Sequence, residues 1–322
     1  MVACHINKIA FVSVLLLLMF PLVNQSAYTL RIATVAMMYI MIALSLNLLT
    51  GFCGLMSIGH AAFWGIGAYT AAILAKNLGW GMGTCLIASA LVSGFFGMML
   101  GLPVLKLKGY YLTIVTLGFC EIIRMVELNW MSLTRGPLGI NNIPYPNLFG
   151  IVLKSRVEIY YIMLGLMVLT GLVVHSIVHS RIGKAIVAIR EDDLAASAMG
   201  INVTLYKIMV FIISATIMGV AGGFYAHYIR YIEPSIFNTG TSMNMLIMAI
   251  FGGLGSIPGT IIGATILTVL PETIRFLAEY RNLIYGFLII VLMLIKPSGV
   301  LGDVNMEYIK KRYYASKAGD KG

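Results

Sequence analysis

Charge is what this sequence has least of. Asp, Glu, Lys and Arg make up 11% of its 322 residues, whereas a soluble globular domain carries about 25%. Hydrophobic residues account for 60% of the chain, its mean hydropathy is +0.94, and apolar runs recur from Ile9 to Ile295. The composition therefore excludes an ordinary soluble domain and predicts a polytopic integral membrane protein rather than one with a single anchor.

Cysteine is scarce as well, and its spacing fits neither a metal site nor a disulfide framework. Cys4, Cys53, Cys85 and Cys120 stand singly in or beside apolar runs, which is typical of small packing residues. There is no zinc-like spacing and no aromatic–basic stripe, and the net charge of +10 is scattered between the apolar runs. We therefore predict no metal site, no catalytic site and no nucleic-acid partner.

A phosphate-binding loop is absent too. The pattern G-x-x-x-x-G-K-S/T, whose backbone and lysine hold nucleotide phosphates, occurs nowhere in the chain. The dipeptide Gly183-Lys184 is followed by Ala and has no upstream glycine at the required distance. We therefore expect this chain to bind no cofactor and to be no enzyme, so any ATP hydrolysis that drives it must occur in another chain.

What the sequence does have is a series of apolar segments near the length of a membrane-spanning helix, about 20 residues. The segments are 9–23, 30–49, 61–75, 83–104, 110–128, 158–179, 207–227, 241–252, 257–271 and 283–296. Two of them, 241–252 and the segment opened by His60, are short enough to be half-helices or re-entrant. We predict an all-α fold with about eight to ten transmembrane or re-entrant helices, and a retained first helix, because no small-x-small cleavage site follows it.

The distribution of basic residues predicts the orientation. Ten crossings put both termini on one side, and most Lys and Arg residues, including those of the basic tail 303–322, fall on that side. Because cytoplasmic loops hold positive charge, we predict cytoplasmic termini and an outward-facing loop at 129–157.

Glycines within the segments recur at a spacing that brings helices close together. The pairs Gly97/Gly101, Gly219/Gly223 and Gly259/Gly263 are small-xxx-small patterns, which predict packing faces within one bundle. A weak internal echo is also present, since 54–68 and 253–264 share G-L-x-S-I and a later G-A. Transporters are often built from repeats, so the echo raises the possibility of a duplicated unit, although chance similarity is the alternative.

One polar stretch interrupts the apolar segments near the middle of the chain, "SRIGKAIVAIREDDLAASAMGIN" at 180–202. Its apolar residues predict two short helices, with one stripe in each: Ile182, Ile186 and Ile189, then Leu194, Ala198 and Ile201. Asp192 suits the N-cap of the second helix, and Gly200 suits the left-handed position that closes it. Because a helix of about two turns is marginal in water, we expect a partner to dock against it.

Ionisable and polar side chains inside the segments are candidates to line a passage, because charge in a bilayer is costly. Glu121, Arg124 and Glu127 are expected to share a face of segment 110–128, either as a structural ion-pair cluster or as a polar rim that meets substrate. His60 is expected to be a hydrogen-bonded structural residue. The other candidates for the passage are Asn47, Ser57, Thr113, Thr116 and Asn244.

Four longer strings resemble one known family. They are "LSLNLLTGFCGLMSIGHAAFWGIGAYTAA" (44–72), "GYYLTIVTLGFCEIIRMV" (109–126), "NWMSLTRGPLGI" (129–140) and "RIGKAIVAIREDDLAASAMGINVTLYK" (181–207). They resemble the LivM-type permeases of branched-chain amino acid ABC transporters, and the similarity runs from about Leu44 to Gly299. The string "AASAMG" also resembles the EAA-x(3)-G coupling motif of ABC importer permeases, with Leu194 where those often have Glu.

The resemblance implies a subunit that moves Leu, Ile or Val inward by alternating access. It implies two cytoplasmic ABC ATPases that use ATP and Mg, a second LivH-type permease, an extracytoplasmic binding protein, and a bacterial inner-membrane location. The whole chain, 1–322, would be one permease domain, with a cytoplasmic coupling segment at 180–206. The residues implied in ATPase coupling are Arg190, Glu191, Asp192, Asp193, Leu194, Ala195, Ala196 and Gly200.

Other functions stay open at this point. The wider family also includes permeases for urea and short amides, which share much of the same sequence pattern. An ion-coupled secondary transporter would need an intramembrane carboxylate without a resident cation, and Glu121 has Arg124 three residues away. A channel is disfavoured because no filter motif appears.

Overall fold

The computed structural model describes residues 17–22, 26–104, 109–148, 151–273, 281–296 and 299–300. Residues 17–22 are helical, and twelve further helices follow in the described part of the chain. They are α1 (Ala27–Asn47), α2 (His60–Asn77), α3 (Met82–Val104), α4 (Tyr110–Asn129), α5 (Met131–Thr134), α6 (Arg156–His179), α7 (Arg181–Glu191), α8 (Asp193–Ala198), α9 (Val203–Ile229), α10 (Thr239–Gly252), α11 (Ile257–Thr273) and α12 (Arg281–Ile295).

Other regular structure in this part of the chain is short. A π-helical segment, Leu48–Phe52, continues α1, and single 3₁₀ turns lie at Gly136–Leu138 and Pro234–Phe237. Two two-residue strands, β1 (Asn147–Leu148) and β2 (Ile151–Val152), pair antiparallel with Leu148 opposite Ile151. The predicted all-α fold class is confirmed.

Four of the described helical stretches are long and apolar enough to cross a membrane. They are Ala27–Phe52, Met82–Pro103, Arg156–His179 and Val203–Ile229, and they coincide with the predicted segments 30–49, 83–104, 158–179 and 207–227. At 1.5 Å per residue each is longer than the bilayer core of about 30 Å. The chain is therefore a multi-pass membrane protein, as its composition predicts.

The two segments suspected of being short differ from each other. Helix α2 has 18 residues, so the half-helix suggested for the segment opened by His60 is wrong. Helix α10 has 14 residues and is about 21 Å long, shorter than the bilayer core. The predicted first segment, 9–23, lies mostly outside the described residues, as does the tail 303–322.

Helix α9 is packed closely against α2 and α3 through small residues. A Cβ added to Gly222 would lie 2.0 Å from the Trp64 carbonyl oxygen of α2, and one added to Gly219 would lie 2.4 Å from the Ser89 oxygen of α3. Gly67 similarly faces the backbone of Gly219. These contacts lie within the chain, so this part of the predicted glycine packing is confirmed.

The irregular segments gather at two ends of the bundle. At one end, named the α7 end, Arg190 donates to the Gly51 carbonyl, and the Gly255 amide donates to Asn47. At the far end, Lys76 donates to the Asn141 carbonyl, and the Ile140 amide pairs with Ile232. The predicted topology places the polar segment 180–206 and the loop 129–157 on opposite sides, and the structure puts them at opposite ends of the bundle.

The close approach of α2 and α9 yields a stability prediction. Replacing Gly222 by Ala should cost about 1–3 kcal/mol, because the added methyl group forces two helix backbones apart. Gly165→Ala on α6 is the control, since its Cβ would meet nothing within 4 Å. The measurement is the thermal unfolding midpoint in detergent, and an equal drop in both variants would contradict the packing described here.

Candidate functional site

The polar segment at 180–202 folds into two helices that are capped by side chains. The Ser180 hydroxyl accepts the amide of Ile182 at 3.1 Å and begins α7. Asp192 accepts the amides of Leu194 and Ala195 at 2.8 and 3.1 Å and begins α8. The N-cap predicted for Asp192 is confirmed, and its chemistry is the usual one, a short acidic side chain that satisfies the first free amides of a helix.

Helix α8 also ends as predicted. Gly200 has φ +81°, in the left-handed region, and its amide donates to the Ser197 carbonyl at 3.0 Å. The Ile201 amide donates to the Ala196 carbonyl at 3.1 Å. This pair of hydrogen bonds is a Schellman motif, which stops a helix and turns the chain.

The apolar faces of α7 and α8 point in different directions. Ile186 and Ile189 of α7 are buried against the rest of the chain, as the first stripe predicts. On α8, by contrast, Leu194 is 72% exposed and Met199, at its C-cap, is 83% exposed, whereas Ala196 is buried. Ala196 therefore packs inside the chain, and the apolar surface that remains open to another molecule is centred on Leu194 and Met199.

The charged residues between the two helices contact their own chain. Lys207 of α9 pairs with Asp193 at 2.6 Å, Arg190 pairs with Glu191 at 2.6 Å, and Asp192 is the N-cap. We expected these four residues to supply contacts to a partner in place of the missing Glu at 194. The structure instead places Arg190, Asp192 and Asp193 in intramolecular contacts, because the short helix α8 needs them to hold its position.

Arg190 reaches from α7 to the end of α1. The first turn is defined here as residues 48–59, and its π-helical part presents the Gly51 carbonyl, which accepts a hydrogen bond from Arg190 Nη1 at 2.9 Å. Gly54 in the same turn has φ +76°, and a Cβ there would lie 2.8 Å from Arg190 Cγ. The arginine side chain therefore lies directly against the first turn.

Asn47 joins the first turn to the second turn, defined as residues 253–256. Its Oδ1 accepts the Gly255 amide at 2.8 Å, and its Nδ2 donates to Thr260 Oγ1 at 2.7 Å and to the Ser256 carbonyl at 3.2 Å. Asn47 is fully buried. Expected to line a passage, it is instead a clamp between the two stretches that carry the repeated G-L-x-S-I.

His60 and Ser57 belong to a buried hydrogen-bonded cluster at the start of α2. The Nδ1 of His60 is 3.1 Å from Ser57 Oγ, and its Nε2 is 2.9 Å from Ser214 Oγ on α9. Ser214 Oγ is in turn 3.0 Å from Ser45 Oγ on α1. Both ring nitrogens are thus engaged, which is the geometry of a histidine that ties helices together.

Thr113 and Thr116 attach α4 to the first turn. Thr113 Oγ1 donates to the Met56 carbonyl at 3.2 Å, and Thr116 Oγ1 accepts the Ile58 amide at 3.2 Å. Thr116 also bonds back to the Thr113 carbonyl within its own helix, as a threonine in a helix commonly does. Asn244 lies on α10 and is half-buried.

Glu121 and Arg124 form the expected ion pair, but Glu127 does not join it. Arg124 Nε is 2.8 Å from Glu121 Oε2, and Thr239 donates a hydrogen bond to Glu121. Glu127 is 4% exposed and faces α2, where a Cβ on Gly65 would lie 2.6 Å from its Oε1. The shared face predicted for the three residues is therefore wrong, because six residues turn an α-helix through about 240°.

The buried Glu127 carboxylate has no hydrogen-bond partner among the described residues. Two neighbours on α2 share this property: Trp64 Nε1 and the Tyr69 hydroxyl are buried and have no partner in the same part of the chain. The ring of Phe237 packs against both aromatic residues, at 5.0 Å from Trp64 and 6.0 Å from Tyr69. This is the most polar unpaired region of the described interior.

Sequence reasoning missed several members of the site. Ser256 and Thr260 could have been found from the repeated G-L-x-S-I, since they stand in its second copy. Ser45, Ser214 and Gly51 carried no such signal. A serine in an apolar helix is common, and only the packing shows that Ser45 and Ser214 face each other across two helices.

A multi-pass bundle of this kind, with polar side chains turned inward and a helix tip left apolar at one end, defines a membrane permease. Residues 28–295 match the family model described as branched-chain amino acid transport system / permease component. That match covers most of the chain, so the protein belongs to this family, which confirms the resemblance.

Similar proteins of known name agree with the family. The chain is 37% identical over 293 residues to the LivM high-affinity branched-chain amino acid transport system permease protein of Salmonella typhimurium strain LT2, covering 84% of this chain and 69% of that one. It is 36% identical to LivM of Escherichia coli strain K12, covering 85% and 70%. It is 28% identical to LivH of Salmonella typhimurium strain LT2, covering 86% and 95%. No solved structure matches.

The two carboxylates of α4 should respond differently to neutralisation. Glu121→Gln breaks an ion pair and should cost about 1–2 kcal/mol, as expected for a partly exposed charged hydrogen bond. Glu127→Gln keeps the shape of the side chain and removes a buried carboxylate with no cation bonded to it, so the thermal unfolding midpoint should stay equal or rise. Midpoints measured side by side test this, and a larger drop for Glu127→Gln would contradict it.

Proposed function

We propose that this chain is one of two membrane-spanning subunits of an ATP-driven importer that moves Leu, Ile and Val inward by alternating access. Its partners are a LivH-type permease, two cytoplasmic ABC ATPases that use ATP and Mg, and an extracytoplasmic binding protein. The chain itself hydrolyses nothing. The family and the relatives named above support the permease role, and the LivM and LivH relatives support a pair of related permeases.

The observation that carries the proposal is the apolar tip of α8. Six residues are too few to form a stable helix in water, yet caps at both ends and the Lys207–Asp193 pair hold α8 in place. The same arrangement leaves Leu194 and Met199 largely exposed. A rigid apolar projection beside the bundle is suited to a groove in a partner protein, and the ATPase is the partner that such an importer requires.

An ion-coupled transporter is the second candidate, and one observation favours it. Glu127 is a buried carboxylate with no cation within hydrogen-bonding distance among the described residues, which is the kind of group such a transporter would titrate or use to bind an ion. The exposed tip of α8 has no purpose in that mechanism, and we therefore rank this candidate second.

Recovery of an ATPase tests the proposal. The protein is purified in mild detergent from cells that express the whole transport system, and vanadate-sensitive ATP hydrolysis of the eluate is measured. The intact chain should bring down the ATPase, whereas a Gly/Ser linker in place of 181–201, or Leu194→Arg, should not. Leu138→Arg is the matched control, because Leu138 is 76% exposed at the far end. An intact chain that recovers no ATPase would overturn the proposal.

Uptake into proteoliposomes then identifies the energy source and the cargo. Radiolabelled leucine should accumulate with ATP and the binding protein, and an ionophore should have no effect on it. Accumulation of urea instead of leucine would assign the chain to the urea and short-amide branch. Uptake without ATP that an ionophore abolishes, and that Glu127→Gln also abolishes, would establish the ion-coupled alternative.

We further propose that the α7 end is cytoplasmic, together with both termini, in the inner membrane of a bacterium. Single cysteines at Ser197 and Leu138, in a background without the native cysteines, should react with an impermeant maleimide from opposite sides of the membrane. Ser197 should react only in inside-out vesicles and Leu138 only in right-side-out cells, because α6 and α9 each cross the bilayer between these two ends. Labelling of both from one side would contradict the topology.

A further inference from the structure

Arg190 is the only residue of the described α7–α8 unit with a printed hydrogen bond to the first turn, and its contacts reach both turns. Its Nη1 donates to Gly51 of the first turn at 2.9 Å. The same nitrogen would lie 3.1 Å from a Cβ on Gly255 of the second turn. We propose that Arg190 is a positioning residue: it transfers movement of the α7–α8 unit to both glycine-rich turns, and so opens and closes the α7 end of the passage.

The guanidinium geometry suits this role. Nη2 and Nε both donate to Glu191, at 2.6 and 3.1 Å, while Nη1 points to Gly51. The planar group is thus fixed to α7 on one side and to the first turn on the other. A lysine carries a single nitrogen at its tip and cannot hold both partners in fixed directions.

The two turns are already one unit before Arg190 is considered. Asn47 bridges them through the Gly255 amide, and Gly51 lies so close that an added Cβ would be 2.4 Å from that amide nitrogen. A force on Gly51 therefore reaches the second turn without an intervening flexible side chain. The turns in turn carry the first residues of α2 and α11, His60 and Ile257.

Both turns have the backbone conformations of a hinge. The first turn contains a π-helical segment, Leu48–Phe52, and the second contains Gly253 at φ +115° and Gly255 at φ +79°. Insertions of π-helix and glycines at positive φ are places where a helix can change direction at low cost. The α7–α8 unit, by contrast, is held rigidly by its caps, by buried Ile186 and Ile189, and by Lys207.

This inference rests on the proposed function, and it differs from docking itself. Arg190 is expected to act after the ATPase is bound, since its guanidinium is directed to the chain's own backbone. Its loss should leave the ATPase attached and hydrolysing ATP while less substrate is moved.

The test uses the complete importer in proteoliposomes, with ATP hydrolysis and leucine uptake measured on the same preparation. Arg190→Ala should lower the leucine moved per ATP by about tenfold or more, the size expected when a charge-assisted hydrogen bond is lost. Arg190→Lys should lie between this variant and the unaltered protein. Arg156→Ala is the matched control, because Arg156 Nη1 also donates to a backbone carbonyl of α1, that of Ala27 at the far end, and it should leave the ratio unchanged.

A double variant tests whether the contacts act in series. Asn47→Ala removes the bridge between the turns, so it should also lower the leucine moved per ATP. Combining it with Arg190→Ala should lower the ratio no further than the weaker single variant does. Independent, multiplicative losses would overturn the proposal.

Three further outcomes would also overturn it. A ratio for Arg190→Ala equal to that of Arg156→Ala would remove the coupling role, and loss of the ATPase from the Arg190→Ala complex would make Arg190 a docking residue. If Arg190→Ala fails to fold, Arg190→Lys alone decides, and an unchanged ratio there refutes the claim. Failure of the proposed function is distinguishable, because the unaltered protein would then bring down no ATPase at all.

Discussion

A broken helix inside a membrane must satisfy its backbone polar groups without water, and in this protein the Asn47 side chain does so where two breaks meet. Its amide accepts the Gly255 amide of the second turn and donates to Ser256 and Thr260 beyond it. An amide side chain can do both, since it carries a donor and an acceptor. The bond also requires Gly51 to be a glycine, because a Cβ there would lie 1.9 Å from Asn47 Oδ1.

The other polar contacts of the interior are arranged around this junction. His60, at the start of α2, is hydrogen-bonded to Ser214 of α9, and Thr113 and Thr116 fix α4 to the first turn. Arg190 adds the α7–α8 unit from outside the bundle. Polar groups that a sequence reader would assign to a passage thus hold helices and turns together, because an unpaired polar group costs most where water is absent.

Local features of the α7–α8 unit were predictable, and its orientation was not. The N-cap at Asp192, the left-handed Gly200 and the buried stripe of α7 follow from residue type and helical spacing, which act over a few residues. The exposure of Leu194 and the burial of Ala196 depend on how α8 lies against α9. The same limit applied to α4, where spacing gave the Glu121–Arg124 pair correctly, but the direction of Glu127 depended on α2.

The sequence by itself determined the class of protein, the long apolar helices, the caps and the family, because composition, periodicity and motif strings act locally or are read directly. Only the tertiary structure decided which polar residues meet. Asn47 and Gly255 are separated by more than 200 residues, and Arg190 is 139 residues from Gly51. No periodicity extends across such distances along the chain, so these contacts emerge only when the helices pack and close-approaching glycines select their neighbours.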